Sequence, residues 1–387
     1  MKKGKKLAAI GIGMLMTSSL FAGCSTEGLA LANAVGKSQT INSMQSKTDL
    51  TLKVSAANMS EQEKQTVEPM LPMINSSKIS IAVKTIQNQD KTSSKVQEDF
   101  NMLVGGMPLD MSVWANADLN GSKPSFNEII KMPKLLTAQL PNEFQNKDYM
   151  IMDSNMLITP GMPEIDYNKL MTLSKELQSK LLYFAGQYAM QYNPGTRYIT
   201  KIQENVYEVS ITDRSLKDLM HYTLNNLAQN PEAVNFIRSY MSEIMSIYGT
   251  DNKEIQIALT QMNKSLIDLS TNLPQETANL NKSLDTLDNV KILGDEGIKV
   301  RYTINNDGYI VNESGSAQFI VDLPSIIKLS GAAASSADPT GIYTINLGFN
   351  TDITNINGNV DIIFPKVDAS NSFNYMELMK SVPALTK

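Results

Sequence analysis

Leu50, Leu52 and Val54 alternate with Thr51, Lys53 and Ser55, and Ile79, Ile81 and Val83 alternate with Ser80, Ala82 and Lys84. A period of two belongs to strands with one face on a core and the other toward water. The residues around Met111–Ala117 run into Asp118-Leu119-Asn120-Gly121, and Phe126 to Met132 runs back. Asn-Gly between extended runs supplies the positive-φ turn of a tight hairpin. Tyr149 to Met152 closes this first zone as an apolar strand, and Leu31 to Met44 opens it as a helix with Ala32, Val35, Ile41 and Met44 on one face.

From Tyr167 to Val290 the period changes. Leu170, Leu173, Leu177, Leu181, Phe184 and Tyr188 step by three and four residues, as do Val234, Ile237, Met241, Ile244 and Tyr248. Ile255, Leu259, Met262, Leu266 and Leu269 repeat the step before Pro274, and Leu280, Leu284 and Leu287 continue it. These are helical stripes. One extended stretch, Tyr198 to Ile211, interrupts them as a predicted strand, with Asp213 as the cap of the next helix. From Ile298 strands return: Ile298–Ile304, a turn at Asn305-Asn306-Asp307-Gly308, then Tyr309–Glu313, Phe319–Val321, Tyr343–Phe349 and Val360–Phe364, and the tail Ser372–Val382 is expected to form a short helix. Strands before and after a helical block, without a βαβ rhythm, predict an α+β fold with an antiparallel sheet.

The N-terminus changes the picture most. Lys2, Lys3, Lys5 and Lys6 precede an apolar run of 15 residues, Leu7 to Phe21, which ends in Ala22-Gly23-Cys24. A permanent transmembrane helix takes about 20 strongly apolar residues, so this run has the length of an export signal. The stretch Leu20-Phe21-Ala22-Gly23-Cys24 resembles the lipobox of bacterial lipoproteins. That resemblance implies a signal peptide over 1–23, diacylglyceryl lipidation of Cys24, a tether over 24–33, and a place on the extracytoplasmic face of a cell membrane. Two acyl chains hold a protein stably where one does not.

Cys24 is the only cysteine, so no disulfide is available and a packed core has to carry stability. Without residues 1–23, 364 residues remain, with 30 basic against 39 acidic side chains, a net of −9. Nucleic-acid binding needs phosphate neutralisation, and this balance argues against it. It also argues against electrostatic docking to anionic headgroups, leaving the acyl anchor as the membrane contact.

Catalysis is not expected. His221 is the only histidine, in Leu219-Met220-His221-Tyr222 on a predicted helix, with Ser215 and Asp218 near in sequence but no Gly-x-Ser-x-Gly elbow. Glu61 with Glu63 and Asp295 with Glu296 read as solvated surface pairs. The turns at Asp118 and Asn305 lack the convergent acids and late glutamate of a calcium loop. Met70, Met73, Met102, Met107, Met111, Met150, Met152, Met156 and Met162 crowd the first half. Thioethers bind Cu(I), yet the short Met/His repeats of copper proteins are missing, and filling of a core or lining of an adaptable pocket suits them better. No metal or cofactor is expected.

A lipidated cysteine, an amphipathic helix and meandering antiparallel strands with helices held aside resemble the LolA/LolB-like (LppX-like) lipoprotein carrier fold. That family implies a curved, incompletely closed antiparallel sheet, a half-barrel, covered by an amphipathic helical block and enclosing an apolar cavity for acyl chains. On this reading residues 34–387 form one domain: helix and strands over 34–153, the helical block over 165–290, strands over 298–387. The expected ligand-binding residues are Met111, Trp114, Met150, Met152, Leu177, Leu181 and Phe184. The expected role is non-catalytic binding of a lipid or other hydrophobic ligand; the alternative is a structural or signalling lipoprotein that docks a protein partner at the cell envelope.

Overall fold

The computed structural model describes residues 25–120, 125–153, 195–229, 281–329 and 338–381, with isolated positions between 230 and 280. The chain enters as α1 (Thr26–Ser38), capped by the Ser25 hydroxyl, which accepts the Gly28 N–H at 3.0 Å. Leu31, Ala34 and Val35 lie on one stripe and are buried. The residues expected as a tether are therefore helical from Thr26, and Met44 belongs to the following strand.

That strand, β1 (Ser43–Ala57), is the longest. The capping box of Ser60 and Glu63 starts α2 (Glu61–Val67), and α3 (Leu71–Asn75) follows. Then come β2 (Lys78–Gln87), β3 (Ser93–Val104), β4 (Met107–Pro108), β5 (Met111–Asp118), β6 (Ser125–Lys131), α4 (Lys134–Thr137) and β7 (Tyr149–Asp153). The predicted strand at 198–211 is a hairpin, β8 (Ile199–Gln203) and β9 (Val206–Ile211), turned at Asn205 with φ +60°. It leads to α5 (Asp213–Gln229), β10 (Leu293–Ile304), β11 (Ile310–Asp322), α6 (Leu323–Leu329), β12 (Ile342–Thr354), β13 (Ser372–Asn374) and α7 (Tyr375–Ser381).

Thirteen strands form one open sheet in the order β13-β7-β6-β5-β3-β2-β1-β12-β11-β10-β9-β8, with β4 paired beside β3. β1 joins the two zones: it pairs with β2 on one side and with β12 on the other, Leu50 facing Phe349 and Leu52 facing Leu347. Two expectations are corrected. Val360–Phe364 is not a strand, because both edges of β12 are taken by β1 and β11, although Val360 is buried. The chain instead reaches the far edge, where β13 runs parallel to β7, so the sheet is mixed rather than wholly antiparallel.

Side chains alternate between two faces. On one face lie Leu50, Leu52 and Val54, Ile345 and Phe349, and their ladder partners outward to both edges. On the other lie Lys47, Asp49, Thr51 and Lys53, and a polar lattice in which Asn312 donates to Asn350 at 3.0 Å and Gln318 to Asn346 at 2.8 Å. Two glycines matter for the sheet. Gly297 (φ +61°) sits in the bulge of β10, where a Cβ would stand 2.3 Å from the Ile211 carbonyl oxygen. Gly315 faces Phe349 across the ladder, and a Cβ there would meet its ring at 2.9 Å.

The apolar face of the β8–β11 end is sealed. α1 and α5 lay Leu31, Ala34, Val35 and Leu219 on Ile199, Val209, Ile211, Tyr302 and Leu293. Leu293 is 0% exposed and Ile310 1%. The Asp213 carboxylate is not the expected cap: Thr212 Oγ1 accepts the Ser215 N–H at 3.2 Å, while Asp213 accepts the N–H groups of Ile292 and Leu293, each at 2.8 Å. That contact ties the start of α5 to the start of β10. A smaller core at the other end packs Phe144 on Phe373, ring centroids 4.9 Å apart.

Candidate functional site

The other half of the apolar face, from β1 through β7, is built from the same alternation but differs in burial. Leu50, Leu52, Val54, Val83, Phe100 and Val113 are all half-buried. The register carries Leu50 to Ile79 and Met102, and Ile81 to Phe100 and Met111, and then Val113 to Ile130 and Met150. The apolar run is thus continuous across six strands.

Met111, Met150 and Met152 all fall on this face, Met152 opposite Glu128. Trp114 does not. It pairs with Gln97 and Ile129, one step out of phase with Met111 and Val113, and so belongs to the opposite face. There its ring meets Tyr149 edge-on at 6.5 Å, and its buried Nε1–H has no acceptor among the described residues. The expectation that Trp114 lines the same surface as the methionines is corrected, since adjacent positions on a strand point to opposite faces. Leu177, Leu181 and Phe184, like Cys24, lie outside the described residues.

At one end of the sheet a slot of about 570 Å³ opens, which takes Leu50, Ile79 and Met102 from the apolar face and Asp49, Lys78, Asn101 and Leu103 from the opposite one. Pairing of β1 with β2 stops at Leu50 opposite Ile79, and the two strands diverge. Leu50, Ile79, Met102, Leu103 and Pro108 line the slot, with Asp49, Lys78 and Asp110 also around it. Beyond the divergence the backbone of Val54 is satisfied by a side chain: its N–H donates to Asn75 Oδ1 at 2.6 Å and its carbonyl accepts from Asn75 Nδ2 at 2.9 Å. The Asn75 amide therefore stands where a neighbouring strand would otherwise continue.

Three carboxylates interrupt the apolar face: Glu98 opposite Val83 and Val113, Glu128 opposite Ala115 and Met152, and Glu313 opposite Tyr302 and Thr351. None of the three makes an ion pair or side-chain hydrogen bond among the described residues. Burial raises the Glu98 and Glu313 carboxyls above their ordinary value; burial first, and then the Glu98 charge diagonally across β5, raises Glu128. Sequence reading missed these residues, although the signal was present as a glutamate inside each of three alternating runs.

The acids weighed from sequence have local partners. Glu63 caps Ser60 and accepts from the N–H groups of Thr340 and Gly341. The Ser60 N–H bond, against a smaller desolvation effect and with help from Thr340 and Gly341, holds its carboxyl at about 2. Asp295 pairs with Lys291 and Glu296 with Lys299. Asp118 accepts from Asn120 in its own turn. His221 does not meet Ser215, which caps α5 together with Thr212, or Asp218, which faces Arg214 at 3.9 Å. Its ring lies instead against Asn281, Asp285 and Asp288.

No family model, curated protein or solved structure matches the chain. No helix among the described residues is long and apolar enough to cross a membrane.

Proposed function

We propose that this chain is a lipid-anchored extracytoplasmic protein that holds a hydrophobic ligand or lipid on the β1–β7 half of its apolar sheet face, without catalysis. One observation supports the reading above the others: a continuous apolar surface that α1 and α5 seal over β8–β11 is left half-buried over β1–β7. Ligand sites are concave and mostly apolar with a few placed polar groups. Here the half-buried face supplies the apolar lining, the slot at the β1–β2 divergence opens beside it, and Glu98 and Glu128 are the polar groups. An unpaired carboxyl on such a surface favours an amphiphile with a hydroxyl or ammonium donor over a plain hydrocarbon. Curvature of the sheet into a half-barrel, with the 165–290 block as its cover, belongs to the same proposal, as does the likeness to LolA/LolB-like carriers.

Anchoring would be through diacylglyceryl-Cys24. Because α1 starts at Thr26 and packs into the core, such an anchor would hold the domain directly at the bilayer surface. Substituting Cys24→Ser should release the protein from membranes, and retention without lipid label would refute the anchor. Native mass spectrometry of the released form should show a bound lipid. A bare mass, together with no binding of an apolar fluorescent probe, would sink the ligand reading and leave the docking of a protein partner.

A further inference from the structure

Two amide side chains, Asn225 on α5 and Asn281 on the helical residues 281–287, orient Nδ1 of the only histidine. Asn225 Nδ2 donates to the His221 carbonyl at 2.9 Å, which leaves Asn225 Oδ1 as an acceptor. Asn281 Nδ2 donates to that oxygen at 2.8 Å, which turns Asn281 Oδ1 toward His221 Nδ1 at 3.2 Å. An amide oxygen only accepts, so Nδ1 carries the proton. In the neutral ring the Nε2 lone pair then points at two further Lewis bases, Asp288 Oδ2 at 3.3 Å and Asp285 Oδ1 at 3.9 Å. Among the described residues His221 is the sole ion-pair partner of either aspartate. These three ligand atoms, one imidazole nitrogen and two carboxylate oxygens, lie within 4.8 Å of one another, a spacing that a cation can bridge.

We propose that His221, Asp285 and Asp288 bind a divalent transition-metal ion, zinc by geometry, that clasps α5 to the segment leading into β10. Zinc bonds of about 2.0 Å place two ligands of a tetrahedron about 3.3 Å apart, which the His221–Asp288 spacing meets and which Asp285, at 3.9 Å, reaches by a small side-chain shift. Magnesium at about 2.1 Å in an octahedron needs neighbours about 3.0 Å apart, and calcium takes six or more oxygens rather than an imidazole. Asn281 holds the outer N–H as partners of ligating histidines do. Both aspartates are partly exposed, so water completes the shell. The Lys217 ammonium is nearby but is engaged by Asp213 at 2.8 Å and the Asp288 carbonyl at 2.9 Å, bracing the same junction. This site stands independently of any apolar ligand.

The test uses the full chain in detergent, carrying Cys24→Ser so that no thiol contributes, stripped by chelator and titrated with zinc chloride against a fluorescent zinc chelator. One zinc should bind per chain and raise the melting temperature. His221→Ala and Asp288→Asn should weaken binding at least tenfold, and Asn281→Leu by about tenfold through loss of the outer hydrogen bond. With a single histidine, nitrogen-15 NMR reads the ring directly: the Nδ1–H tautomer before zinc, and a displaced Nε2 resonance after it. Zinc affinity that is unchanged in both His221→Ala and Asp288→Asn, or a doubly protonated ring that zinc does not move, would overturn the site and leave an ordinary ion pair.

Discussion

The two halves of one apolar face have different fates. Over β8–β11, Ile199, Val209, Tyr302 and Leu293 meet α1 and α5 and are buried. Over β1–β7, residues of the same type in the same alternation remain half-buried, and Glu98 and Glu128 stand among them without partners among the described residues. Tight packing carries stability, since interiors are close-packed and each removed methylene is felt. An apolar surface left loosely covered contributes less, and is available to something other than the fold. The difference teaches that hydrophobicity along a strand does not say which residues make the core; the element that lies across them does.

The comparison breaks most sharply at Leu293. Leu293→Ala should cost about 2–5 kcal/mol in urea unfolding, whereas Leu52→Ala on the other half should cost about 1 kcal/mol or less and instead reduce binding of an apolar probe. Equal losses of stability at the two positions would erase the distinction.

Next in size is Asp213→Ala, at about 2–3 kcal/mol, because it strands two N–H groups and leaves the Lys217 ammonium with the Asp288 carbonyl alone. Burial alone would raise the Asp213 carboxyl, but the Leu293 N–H, Lys217 and the Ile292 N–H outweigh it and hold it below the ordinary range. Its contribution is therefore present above the unfolded carboxyl value of about 3.9 and disappears as pH falls through the lower folded value. Acid titration of the wild type and Asp213→Asn should show this loss in the wild type only.

Glu313→Gln and Glu98→Gln should act in the opposite sense. A carboxyl raised by burial binds its proton more tightly in the folded state, so stability falls as pH rises from the unfolded value through the folded one. Each variant should melt higher than the wild type at neutral pH, with the gain vanishing near pH 4. A gain that persisted in acid would point to packing rather than charge. The smallest effect belongs to the exposed Lys291–Asp295 pair: Lys291→Ala should leave the urea unfolding midpoint where it is in the wild type.

Much of the sheet was legible. β1, β2, β5 and β6 follow from runs such as Leu50-Thr51-Leu52-Lys53-Val54, where one face is plainly apolar. β3 escaped because Glu98 sits between Val96 and Phe100 and breaks the period. β11 was read as two pieces because Glu313, Gly315 and Ala317 weaken its apolar row. Glu98 of β3 lies on the half of the face left half-buried, whereas the β11 residues lie on the half that α1 and α5 cover. Of the candidate site, Met111, Met150 and Met152 share one face and Trp114 does not, because Met111 and Trp114 are three residues apart on β5 and so out of phase. The grouping of His221 with Asp285 and Asp288 was illegible, since some 60 residues separate them in the chain.

The sequence by itself determined the period of strands such as β1 and β2, the α+β class, the presence of a helix ahead of β1, and the export-like N-terminus with its single thiol. These depend on neighbours a few residues apart. Only the tertiary structure decided that β1 and β12 join the two zones into one sheet, that β13 crosses to pair parallel with β7, which half of the apolar face is sealed, and which acids stand on it. Those outcomes depend on contacts between distant segments, where the free energy of burying one surface is set by the shape of another.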